Sequence, residues 1–79
     1  MGAIVLTSEH ITGGRGILRW SRTDLAKASG VSPATIKRIE QEPGQVMANR
    51  PTIVALCSAL ESAGVELTDG PGVRLAAKP

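Results

Sequence analysis

Residues 20–41 read WSRTDLAKASGVSPATIKRIEQ, and the capping residues within this stretch decide the fold. Ser21 can cap a helix whose third residue, Asp24, answers it. Such a reciprocal pair satisfies amides that have no partner inside the helix and puts a carboxylate at its positive end. Trp20 and Leu25 occupy the two positions of a hydrophobic staple. The helix is expected to run from Arg22 to Ser29, and Gly30 stands where left-handed backbone closes it. Only Val31 separates Gly30 from Ser32-Pro33. A residue before proline is held extended, which suits a cap, and Pro33 suits the first helical position. A second helix is expected over Pro33–Gln41, with Ile36 and Ile39 inward and Lys37 and Arg38 outward. Two helices joined by three residues cannot lie antiparallel in register, so they must cross steeply.

Working outward, Ser8–Leu18 reads as a further helix, weakened because Gly13, Gly14 and Gly16 each cost about 1 kcal/mol against alanine, so tertiary packing has to hold it. The same GGRG run lacks the spacing and the Lys-Ser/Thr of a phosphate-binding loop, and it lacks the three-glycine dinucleotide fingerprint. Glu42-Pro43-Gly44 and Arg50-Pro51 bracket a loop. After it Thr52 is expected to cap a helix through Ile53, Leu56, Cys57 and Leu60 to Ala63, ended by Gly64. Cys57 lies on the apolar stripe of that helix and reads as a small buried hydrophobe. Val65-Glu66-Leu67 and Val73-Arg74-Leu75 alternate around a five-residue, glycine-containing loop and read as a β-hairpin.

The chain has 79 residues, about half the usual domain length of roughly 150, so one domain over residues 1–79 is expected. Hydrophobic residues make up 42% of it, yet there is no Phe or Tyr and only one Trp, so the core must be built from Leu, Ile, Val and Ala. One Cys and one His exclude an intramolecular disulfide and a closed four-ligand zinc site. His10 is expected to be an exposed helix residue without a chemical role. The start MGAIVL reads as neither a signal peptide nor a membrane span, and a lone cysteine suits a reducing cytoplasm. Between residues 15 and 50, Arg15, Arg19, Arg22, Lys27, Lys37, Arg38 and Arg50 face Asp24, Glu40 and Glu42, a net charge of +4 between flanks that sum to −2. That distribution attracts nucleic acid or another polyanion.

The run RTDLAKASGVSPATIKRIE, residues 22–40, resembles the helix-turn-helix of the lambda repressor-like family, the Cro/repressor or xenobiotic-response-element type of bacterial and phage regulators. Leu25, Ala26, Gly30, Ile36 and Ile39 stand at the motif's internal packing positions. Ser32, Thr35 and Glu40 fit its usual S-x-x-T-I-x-x-I-E run. More loosely, the likeness covers residues 6–63 and includes Arg15 and the Arg50-Pro51 step. It departs from the family at Arg22, where many relatives have Gln, in the glycines of the first helix, in a long 41–51 loop, and after Gly64, where simple phage repressors continue with a fifth helix. The resemblance implies a mainly α bundle of about four short helices, a helical core over about 7–64, and here a hairpin tail over about 65–76.

It also implies a sequence-specific DNA-binding transcriptional regulator of repressor type. The second motif helix enters the major groove, with Pro33, Ala34, Lys37 and Arg38 toward base edges. Arg22, Thr35, Asn49 and Arg50 fall to phosphate contact, and Arg15 and Glu40 form an ion pair tying the first helix to the end of the third. A single such domain contacts too few base pairs to select a site, so a homodimer on a near-palindromic double-stranded operator is expected. The hairpin residues Val65, Leu67, Val73 and Leu75 are the expected dimerisation element, their ribbon completed by that of a second subunit or by the apolar residues 3–6, with docking on the chain's own helices as the competing reading. No cofactor, metal, membrane or small-molecule ligand is expected. With one His and no nucleophile or paired-carboxylate constellation, an enzyme is not expected either. The alternative is a protein-binding antitoxin or antiactivator module of the same fold.

Overall fold

The computed structural model describes residues 5–67 and the backbone of 73–75. In chain order these form α1 (Ser8–Leu18), α2 (Arg22–Ser29), α3 (Pro33–Gln41), α4 (Arg50–Ser62), β1 (Val65–Leu67) and β2 (Val73–Leu75). The fold is a small helical bundle closed by an antiparallel ribbon, with Val65 opposite Leu75, Glu66 opposite Arg74 and Leu67 opposite Val73. Among the described residues one core joins the four helices and β1: Leu6, Ile11, Leu25, Ile36, Ile39, Val46, Leu56, Ala59, Leu60, Val65 and Leu67. It is aliphatic throughout, with Trp20 packed at its margin.

Local chemistry sets the helix ends. Ser21 accepts from the Asp24 amide at 3.1 Å while the Asp24 carboxylate accepts from the Ser21 amide at 2.9 Å, so both halves of the capping box form. Gly30 closes α2 at φ +78°, and Ser32 caps α3 by accepting from the Thr35 amide. One end differs from the sequence expectation. α4 is capped by Asn49, whose Oδ1 accepts from the Thr52 amide at 3.1 Å, so Thr52 is the third residue of the helix and not its cap. Pro51 explains the shift, since a fixed φ and a missing amide suit the first turn and need a cap upstream. α1 ends on a left-handed Arg19 (φ 58°), with the Trp20 amide closing back on the Arg15 carbonyl at 2.8 Å. A side chain at such a position is unusual, because glycine carries no steric penalty there.

His10 corrects a second expectation. It is fully buried, and its Nδ1 accepts from the Thr7 amide at 3.0 Å while Thr7 Oγ1 accepts from the His10 amide. The imidazole does what Glu or Gln usually does in a capping box. Around it the loop before α4 is strapped to the segment before α1. The Ser8 amide donates to the Gly44 carbonyl, the Val46 amide to the Leu6 carbonyl, and the Gly44 amide to the Glu9 carboxylate. This pairing satisfies backbone groups that an irregular loop would otherwise leave to water, and it buries Leu6 and Val46. The Leu6 carbonyl thus accepts from the loop; residues 3 and 4 lie outside the described residues.

The glycines of α1 have separate reasons. A Cβ on Gly14 would stand 3.0 Å from Leu60 Cδ2, inside the core, whereas one on Gly16 would meet nothing within 4 Å. Gly16→Ala should therefore stabilise the fold by about 0.5–1 kcal/mol through helix propensity alone. Gly14→Ala should cost stability, because the fully buried Leu60 has to shift. Thermal unfolding of the two variants checks this, and equal stabilisation by both would show that Leu60 yields freely.

Candidate nucleic-acid interface

α2 and α3 are joined by the turn of residues 30–32. Leu25 on α2 and Ile36 and Ile39 on α3 are buried between them and the rest of the bundle. With 3.6 residues per turn, positions 33, 34, 37 and 38 form one continuous stripe on α3 roughly opposite the two isoleucines. Pro33, Ala34, Lys37 and Arg38 are all exposed. Neither cation has a hydrogen-bond or ion-pair partner among the described residues. Two aliphatic surfaces and two free donors thus lie on the face that the packing of α3 turns outward.

At the N-terminus of α3 the Ser32 hydroxyl donates to Thr35 Oγ1 at 2.9 Å while its oxygen accepts from the Thr35 amide. Thr35 keeps its own hydroxyl proton for an outside acceptor. Asn49 and Arg50 are exposed at the start of α4. Asn49 spends Oδ1 on the cap, so only its amide nitrogen is left for a phosphate.

Arg22, expected at a phosphate, also bonds inside the protein, as part of a cluster around Glu40. Arg15 grips Glu40 with a fork, Nε to Oε2 at 2.7 Å and Nη2 to Oε1 at 3.0 Å, and its Nη1 donates to the Trp20 carbonyl at 2.9 Å. Arg22 Nε donates to Glu40 Oε1 as well, at 2.8 Å. The expected pair is a triad, and sequence reading missed its third member. The Glu40 side chain is 2% exposed, that of Arg15 19% and that of Arg22 41%. Burial pushes the Glu40 carboxyl up, but the hydrogen bonds and charges of Arg15 and Arg22 together outweigh it and hold the group below the ordinary carboxylate range.

The family model for a helix-turn-helix domain matches residues 15–69. That span holds α2, the turn, α3, α4, β1 and the Arg15 end of α1. The chain belongs to the helix-turn-helix domain family. No curated protein and no solved structure matches it. A helix-turn-helix domain suggests a DNA-binding regulator. Among the described residues, no group of three or more His, Cys, Asp or Glu side chains could hold a metal ion, and no helix is long and apolar enough to cross a membrane.

In this helix-turn-helix domain two of the four residues expected to join two subunits are used within the chain. Val65 and Leu67 are buried in the chain's own core, where β1 packs against α1 and α4. The alternation requires one face of the ribbon to be covered, and at β1 the helices of the same chain cover it. Val73 and Leu75 are placed by backbone register opposite Leu67 and Val65; their side chains lie outside the described residues. Cys57 is half-buried on α4, with its thiol pushed up by burial and by the Glu61 charge. A thiol so shifted is a poor nucleophile at neutral pH.

Proposed function

We propose that the protein is a sequence-specific transcriptional regulator of repressor type that works in the cytoplasm, binding a near-palindromic operator as a homodimer with α3 in the major groove. One observation carries this reading: packing Ile36 and Ile39 inward leaves Pro33, Ala34, Lys37 and Arg38 outward along a single helix face. Arg38 can donate two hydrogen bonds to guanine O6 and N7, Lys37 one, and Ala34 or Pro33 can touch a thymine methyl. Phosphate positioning falls to Arg22, Thr35, Asn49 and Arg50, with the Ala34 amide at the start of α3. Catalysis forms no part of the proposal.

The homodimer follows from information content. One recognition helix reads about five base pairs, too few among about 10⁶ competing sites, whereas two related by a two-fold axis read half-sites about 34 Å apart. Selection of bound duplexes from a random library by the purified protein tests the reading. The expected product is an enriched sequence with two inverted half-sites about one helical turn apart. Failure to enrich any sequence would contradict it, and enrichment of an isolated half-site would contradict the dimer.

A further inference from the structure

The Arg15–Glu40–Arg22 cluster carries one more cation than a structural clasp requires. Arg15 alone satisfies both Glu40 oxygens and also holds the Trp20 carbonyl. Arg22 adds a single bond, from Nε to Oε1, and its two terminal nitrogens have no partner among the described residues. A guanidinium held at Nε is fixed in orientation but keeps four N–H donors in one plane, the geometry that suits a phosphate. Arg22 is also the first residue of α2, where the helix amides carry partial positive charge. Glu40 lies one turn beyond Ile36 and Lys37, on the flank of the exposed stripe of α3. Two guanidiniums against one carboxylate leave a net positive charge at that flank, so an approaching phosphate is attracted in spite of Glu40.

We propose that Glu40 is a positioning residue for a DNA phosphate. It holds Arg22 by Nε so that the free terminal nitrogens donate to one backbone phosphate, while Arg15 neutralises the carboxylate that does the holding. This rests on the DNA-binding reading above and gives one phosphate contact a mechanism.

Charge alone and positioning demand opposite signs, which makes the proposal testable with a short labelled random-sequence duplex titrated at several salt concentrations. If only charge mattered, Glu40→Gln would remove an anion from the interface and tighten binding. Under the proposal it weakens binding about ten-fold, the loss of a well-aligned charged hydrogen-bond pair. Arg22→Lys keeps the charge and leaves the Arg15–Glu40 clasp intact, but an ammonium cannot fork between carboxylate and phosphate. It should lose about ten-fold in affinity with its salt slope unchanged, whereas Arg22→Ala should lose affinity and about one unit of slope. In the Arg22→Ala background, Glu40→Gln should no longer weaken binding. Circular dichroism at the assay temperature shows that each variant is folded, and if Glu40→Gln is not, Arg22→Lys decides alone. Binding of Arg22→Lys equal to that of the unaltered protein, or tighter binding by a folded Glu40→Gln, overturns the proposal. A lack of salt-dependent DNA binding by the unaltered protein would instead remove the DNA-binding reading, and this proposal with it.

Discussion

Glu40→Gln should lower the unfolding free energy of the free protein by about 3 kcal/mol. The substitution leaves Arg15, whose side chain is only 19% exposed, without its charged partner. Breaking a buried pair from one side costs about 3–5 kcal/mol, and water reaching Arg22 at 41% exposure keeps the loss at the lower end. Arg15→Met should cost a similar amount, because it strips the buried carboxylate of its fork and the Trp20 carbonyl of its donor. Arg22→Met should stay within about 1 kcal/mol, as for exposed pairs. Small domains have only about 5–15 kcal/mol in total, so the first two variants should melt well below the unaltered protein and the third close to it. Unchanged melting of all three would show the triad to be three solvated charges.

The same carboxylate fixes a pH dependence. Its folded pKa lies below the unfolded one, so its contribution is fully present above the unfolded value and is lost as pH falls through the folded value. The melting temperatures of the unaltered protein and of Glu40→Gln should therefore converge on acidification below about pH 4. Glu9, shifted down by its own and the Gly44 backbone amides, and Asp24, shifted down by the Ser21 amide and hydroxyl, titrate in the same direction. They are common to both proteins and drop out of the difference.

Arg38→Ala should lower affinity for the selected operator by about 1–3 kcal/mol while nearly sparing random DNA, because a base-edge contact is lost. Arg50→Ala should weaken both and flatten the salt dependence by about one unit of slope, since a phosphate contact carries no sequence information. Titration of both duplexes separates the two roles. Equal losses on operator and random DNA for Arg38→Ala would remove it from the reading face.

What could be read in the sequence was local. α2, the turn and α3 carry their signals within three or four residues: Ser21 with Asp24, Gly30, and Ser32 with Pro33. The two strands of the hairpin followed from the two alternating triplets. The start of α4 is misplaced by reading Thr52 as its cap, where the first-turn preference of Pro51 puts the cap at Asn49. The end of α1 carried no glycine, because Arg19 takes the left-handed position. Burial of His10 and the bond from Arg22 to Glu40 depend on contacts between distant parts of the chain, the latter across 18 residues, and no periodicity reports them. The face of Val65 and Leu67 was legible, but what would cover it was not.

Footprinting of the purified protein on DNA over a range of salt concentrations tests the central claim most directly. The account predicts protection of a discrete, near-palindromic site and affinity that falls steeply as salt rises, because several phosphate contacts release counterions. The absence of any protected site, with no salt-dependent binding to any duplex, would contradict it.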